Sequence, residues 1–120
     1  MAPHRRSEPE PPEEALDALG RYAGPATLIL ASLAGGAKHG YALTKDIEAF
    51  AAVRLAPGTL YEALSRLVTQ GLIEPLESQD RRRPYRLTAA GATALRAHLD
   101  AQRRIASLGL RRLDKTWSPA

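Results

Sequence analysis

The chain of 120 residues contains no cysteine, which excludes disulfides, thiolate nucleophiles and cysteine-ligated metal sites. Histidine is scarce: His4, His39 and His98 fall in separate segments, and none is paired at i, i+4 as a metal-binding helix face requires. With one Phe and one Trp, the core has to be built from Leu, Ile, Val and Ala. No apolar run approaches the roughly 18 residues that span a bilayer, and the first residues lack the apolar stretch of a secretion signal. A cytoplasmic protein with no membrane partner is therefore expected. The acids, histidines and hydroxyls form no nucleophile–base or carboxylate pair, so no catalytic residue, metal site, cofactor or enzymatic activity is expected. Acidic residues almost disappear from the last third of the chain. Between Arg81 and Ala120 ten basic residues face only Asp100 and Asp114, a net +8 in a chain of net +4 and pI near 9.9. That asymmetry favours a polyanionic partner.

What the sequence does hold is concentrated between Pro57 and Thr88. Leu60, Leu64, Leu67 and Val68 recur at i, i+4, i+7 and i+8, which predicts a helix with one apolar stripe. Thr59, Tyr61, Glu62, Ser65, Arg66 and Thr69 fall between them and make a face of hydroxyls and a guanidinium, the groups that read a DNA groove. Pro57 suits a first helical position. Gly58 lets the backbone approach a phosphate at the helix N-terminus, and Gly71 suits a left-handed C-terminal cap. Ala56, just before the helix, offers no capping side chain. Two short extended segments follow, Leu72 to Glu77 and Pro84 to Thr88, joined by a polar loop that ends in Arg81, Arg82 and Arg83. They predict a hairpin with a basic tip. No Asn-Gly or Asp-Gly pair fixes its turn type, and Pro75 and Pro84 mark its strands as edge-like. A helix followed by an arginine-tipped hairpin is the plan of a winged helix-turn-helix.

With these segments in place, the chain resembles the PadR family of bacterial transcriptional regulators. The resemblance rests on His39-Gly40-Tyr41-Ala42-Leu43, Pro57-Gly58-Thr59-Leu60-Tyr61, Gly71-Leu72-Ile73 and Tyr85-Arg86-Leu87-Thr88-Ala89-Ala90-Gly91, and it runs from about Arg21 to at least Leu99. The length is similar to the short branch of the family, in which a single C-terminal helix serves for dimerisation. The resemblance implies a homodimeric repressor that binds a partly palindromic DNA operator and is released by a signal, often a small phenolic or hydrophobic effector. It also implies that Tyr41 sits near a DNA phosphate, where the residues alone leave open that its ring packs and anchors the turn. His39 is expected to cap or pack rather than to contact DNA.

The remaining segments complete a mainly α chain with a small β-hairpin. Residues 1–14, rich in proline and charge, are expected to be a disordered tail, residues 15–88 a winged helix-turn-helix, and residues 89–120 a dimerisation helix and tail. A first helix is expected from Ala26 to Ala34 with Leu28, Ile29, Leu30 and Leu33 inward. A second, opened by Gly40, carries a stripe of Leu43, Ile47 and Phe50. Thr88 is a suitable N-cap for the last helix. Along that helix Ala92, Leu95, Leu99, Ala106 and Leu113 recur at near-heptad spacing, thickened by Ile105, Leu108 and Leu110. An apolar face this long on a small domain predicts a second copy against it, with Leu95, Leu99, Ala106, Leu108 and Leu113 at the interface. Gly109 marks a bend or the end of the helix, and Trp117 is expected to anchor the tail. Double-stranded DNA contacts are expected from Lys38, Tyr41, Gly58, Thr59, Tyr61, Ser65, Arg66, Arg81, Arg82 and Arg83. A basic winged helix that docks a protein or RNA is the alternative.

Overall fold

The computed structural model describes residues 24–119, so the expected N-terminal tail and the first residues of the 15–88 domain lie outside the described residues. Four helices and one hairpin follow in order: α1 (Pro25–Leu33), α2 (Gly40–Ala51), α3 (Pro57–Thr69), β1 (Ile73–Pro75), β2 (Tyr85–Leu87) and α4 (Ala89–Lys115). The core is aliphatic, as a sequence so poor in aromatics requires. Leu28, Ile29, Leu30 and Leu33 of α1, Leu43 and Ile47 of α2, and Leu60, Leu64 and Leu67 of α3 close around Ile73 and Leu95. Phe50 departs from the expected stripe and is 51% exposed. It sits in the last turn of α2, where the chain turns away through Ala52 in the left-handed conformation, φ +55°.

The hairpin is antiparallel, with Ile73 opposite Leu87, Glu74 opposite Arg86 and Pro75 opposite Tyr85. A third extended residue extends it. Lys38, in the link between α1 and α2, donates its N–H to the Tyr85 carbonyl (3.2 Å) and accepts from the Tyr85 N–H (2.9 Å). The wing is thereby attached to the helical unit through its backbone. At the hairpin tip, Gln79 and Arg82 exchange both backbone bonds, at 2.7 and 2.8 Å, and Asp80 and Arg81 between them take φ +50° and +67°. Positive φ at both central residues is the mark of a type I′ turn, which suits the twist of a hairpin.

Helix ends follow local chemistry. Thr88 caps α4, its Oγ1 accepting from the Gly91 N–H at 3.0 Å and donating to the Gly71 carbonyl at 2.7 Å. Gly71 itself takes φ +75° just beyond the end of α3. Two expectations for α4 are corrected. The helix runs without interruption through Gly109 to Lys115, 27 residues and so about 40 Å. Leu95, expected at a dimer seam, is 7% exposed and belongs to this chain's own core. Beyond Leu95, by contrast, Leu99, Ile105, Leu108, Leu110 and Leu113 are exposed. Among the described residues the Trp117 side chain does not join the core: it is 63% exposed, and the residue is held by a backbone bond to the Arg112 carbonyl.

Candidate nucleic-acid interface

The N-termini of α2 and α3 and the arginine tip of the hairpin face a common groove, lined by His39, Gly40, Tyr41, Tyr61, Arg82 and Tyr85 among others. Gly40 is what lets the two helices meet there. A Cβ on it would stand 2.5 Å from the Tyr61 hydroxyl oxygen, so Tyr61 rests against the bare start of α2 with its ring half in solvent. Tyr41 lies beside it, 65% exposed, with the Lys45 ammonium 5.9 Å from the ring centroid. Of its two expected roles, burial of the ring is the one the structure does not support. The start of α2 adds free backbone N–H groups and the positive end of the helix dipole.

His39 occupies the N-cap of α2, with Nδ1 accepting from the Ala42 N–H at 3.4 Å, while Nε2 lies 3.3 Å from Arg82 Nη1. A neutral imidazole has one ring nitrogen with a free lone pair. His39 can therefore serve the Ala42 N–H or the Arg82 guanidinium, not both at once. When Nδ1 holds the cap, Nε2 carries the proton and two donors face one another, an arrangement matched by an anionic oxygen.

The three arginines differ. Arg83 donates to the Leu76 carbonyl at 2.9 Å and braces the wing. Arg81 heads the turn in an exposed position, and Arg82 reaches back to His39. Lys38, expected on DNA, is committed elsewhere. Its ammonium donates to the Ser32 and Gly36 carbonyls and lies 3.9 Å from Asp46 Oδ2, which accepts from the buried Ser32 hydroxyl at 2.6 Å. That cluster, with the backbone pairing of Lys38 to Tyr85, ties α1, α2 and the wing strand together.

On α3, Gly58, Thr59, Tyr61, Ser65 and Arg66 are all exposed, on the side opposite buried Leu60, Leu64 and Leu67. The missing cap at Ala56 is observed: no side chain bonds the first N–H groups of α3. Tyr61 turns towards α2 and the wing, whereas Thr59, Glu62 and Arg66 border the start of α1. The sequence puts Glu62 on the polar face of α3 but not among the expected DNA contacts, and His39 was expected to cap or pack rather than to contact DNA. His39 could be found only from its distant neighbour Arg82, but Glu62 was visible in the helical phase. Among the described residues no group of three His, Cys, Asp or Glu side chains could hold a metal, and no helix is long and apolar enough to cross a membrane.

The profile of the PadR-like transcriptional regulator family matches residues 29–97, from the middle of α1 to the first turns of α4. A PadR family transcription regulator of Clostridium difficile R20291 has the same fold, with a TM-score of 0.67 at 26% identity over 74% of this chain and 97% of that one. A transcriptional regulator of Clostridium thermocellum gives 0.64 at 25% identity, over 85% and 99% of the two chains. RosR of H. salinarum gives 0.60 at 27% identity, over 82% and 81%. A 37.1 kDa protein of transposon Tn4556 from Streptomyces fradiae is 44% identical over 78 residues, 65% of this chain, which spans only 23% of that relative's length. Helices, hairpin, converging N-termini and family match agree, and the chain belongs to the PadR-like family of transcriptional regulators.

Proposed function

We propose that the chain is a homodimeric, sequence-specific repressor whose α3 enters the major groove of an operator while the wing holds the flanking backbone. The observation that carries this reading is the convergence of Tyr41, Tyr61, His39 and Arg82 at the bare N-terminus of α2, beside the exposed face of α3. Arg81 and Arg82 supply phosphate contacts, with Arg83 bracing the wing that presents them; such contacts hold position and carry the salt dependence. When a phosphate draws Arg82 away, the His39 ring is free to cap α2, so engagement of the wing firms the helix beside it. Gly58, Thr59, Ser65 and Arg66 face the bases.

The dimer is supported by the exposed apolar side chains of α4 from Leu99 to Leu113, with Ala106 between them. Two copies related by a two-fold axis would place two reading helices about one DNA turn apart, roughly 34 Å. A shallow recess between α4 and the hairpin, where Ala34, Leu87, Leu95 and Leu99 meet the charged Arg96, Asp100 and Arg103, is the place for the small hydrophobic or phenolic effector expected to release the operator.

Fluorescence anisotropy tests the reading, with the protein titrated into duplex DNA from upstream of its own gene, random duplex and RNA of equal length. The upstream duplex should bind at least ten times more tightly than random duplex at near-physiological salt. Equal affinity for all three would refute sequence-specific repression, and a preference for RNA would reassign the groove.

A further inference from the structure

The middle of the exposed face of α3 is held by a carboxylate. With 3.6 residues per turn, Glu62 falls opposite the buried Leu60, Leu64 and Leu67, flanked by Gly58, Ser65, Arg66 and Thr69. Its side chain is 77% exposed, and it is the only acid between Glu48 and Glu74. The fold does not require it. Its one partner among the described residues is Arg66, whose Nη2 lies 3.5 Å from Oε1 one turn further on, and an exposed pair of this kind contributes little to stability. General affinity for DNA does not favour it either, because a carboxylate at the centre of a reading surface repels phosphates.

Two bases present an amino donor in the major groove, cytosine through N4 and adenine through N6, and cytosine suits a carboxylate better because adenine N6 lies beside the N7 acceptor, which repels it; guanine O6 and N7 and thymine O4 are acceptors that repel it too. Arg66 is the complement, since its guanidinium matches guanine O6 and N7 in a bidentate pair. Four helical residues rise about 6 Å, close to two base-pair steps. We propose that Glu62 is a specificity-determining residue: it selects a cytosine in the operator, and Arg66, released from it on binding, selects a guanine one or two base pairs away. In free protein the two side chains satisfy one another. On DNA that lacks the cytosine, the unpaired carboxylate counts against binding, which is how a repulsive element sharpens discrimination. The inference rests on α3 being the base-reading helix.

The test is selection of the full chain, and of E62A and E62Q, against randomised double-stranded DNA, followed by affinities for single-base variants of the selected site. Wild type should enrich a site with a cytosine and a guanine at that spacing. E62A should lose preference at the cytosine alone, by roughly 5- to 150-fold. E62Q should move that position towards adenine, which Gln reads through N6 and N7. The same bases at the same strength from wild type and E62A would overturn the role of Glu62 while leaving α3 as the reader. A wild-type site without a cytosine–guanine pair at that spacing would also overturn it. Enrichment of no sequence by wild type would overturn the reading of α3 together with it.

Discussion

Gly91, in the first turn of α4, is the position at which one added methyl group should cost the most. A Cβ there would stand 2.0 Å from the Leu72 carbonyl oxygen and 2.8 Å from Leu87 Cδ1. Ordinary contact begins near 3.4 Å, so the start of α4 would have to move by more than ~1 Å, against backbone rather than against a mobile side chain. That start is pinned by Thr88, through its N–H on the Leu72 carbonyl (3.1 Å) and its hydroxyl on the Gly71 carbonyl (2.7 Å). Displacement would loosen both bonds, each with a net worth of about 1 kcal/mol. Overpacking at a fixed contact adds about 1–3 kcal/mol. The gain from replacing glycine by alanine inside a helix offsets up to ~1 kcal/mol. Gly91→Ala should therefore destabilise by about 2 kcal/mol, a fall in Tm on the order of 10 °C for a domain of this size. Thermal melts followed by circular dichroism at one protein concentration measure it, equal concentration being needed because the proposed dimerisation would shift Tm. A Tm at or above the wild-type value would refute the close approach of α4 to the hairpin.

Gly40→Ala is the same chemical change with the opposite outcome: its Cβ would meet only the Tyr61 hydroxyl end, 2.5 Å away, which can swing aside. Stability should change by less than ~1 kcal/mol, while DNA affinity falls severalfold in anisotropy titrations; unchanged affinity would remove the Tyr61–Gly40 contact from the interface. Replacing Arg81, Arg82 and Arg83 together by Ala should weaken binding to every duplex and flatten the salt dependence. Because Arg83 is engaged with the Leu76 carbonyl, the slope of log K against log salt should drop by about 2 per protomer rather than 3. A slope equal to wild type would show that the wing does not touch phosphate. Leu113→Glu, on the exposed outer half of α4, should shift the protein towards monomer in sedimentation equilibrium without unfolding it, and an unaltered dimer would place the seam elsewhere.

What the sequence disclosed and what it hid have separate physical causes. α3 and α4 were legible because their apolar residues repeat at helical spacing, and because Pro57, Gly71 and Thr88 punctuate them by local chemistry that needs no distant partner. The partners of Lys38 were hidden because they are tertiary. Only folding brings it to Ser32 and Asp46, and only the chain path places its backbone against Tyr85. The type I′ turn was hidden because Asp80 and Arg81 take left-handed angles without the glycine that usually signals them. Leu95 belongs to the same near-heptad series as Leu99 and Leu113, yet it lies over the protomer's own core. Spacing along a helix cannot tell which of two bodies a residue will meet.

The route from one end of the molecule to the other contains few places to bend. Lys38 fastens β2 to the link before α2, and β2 runs through Thr88 alone into α4. The Thr88 hydroxyl also holds the carbonyl of Gly71, where α3 ends. Thr88 thus joins the end of β2 and the start of α4 to the short turn after α3, its N–H holding the Leu72 carbonyl as its hydroxyl holds that of Gly71. Motion of the outer half of α4 has to appear at the reader as rotation of the whole domain. For a helix of about 40 Å, a tilt of about 5° moves the far end by roughly 3.5 Å, close to one base-pair step. In the proposed dimer a small wedge at the base of α4 would therefore suffice to put two reading helices out of step with an operator. The recess beside Leu95 and Leu99 lies at that base. An effector there need not touch the DNA-facing groove at all: it would act by changing the angle between two rigid halves, and its effect on affinity would grow with the length of α4 beyond it.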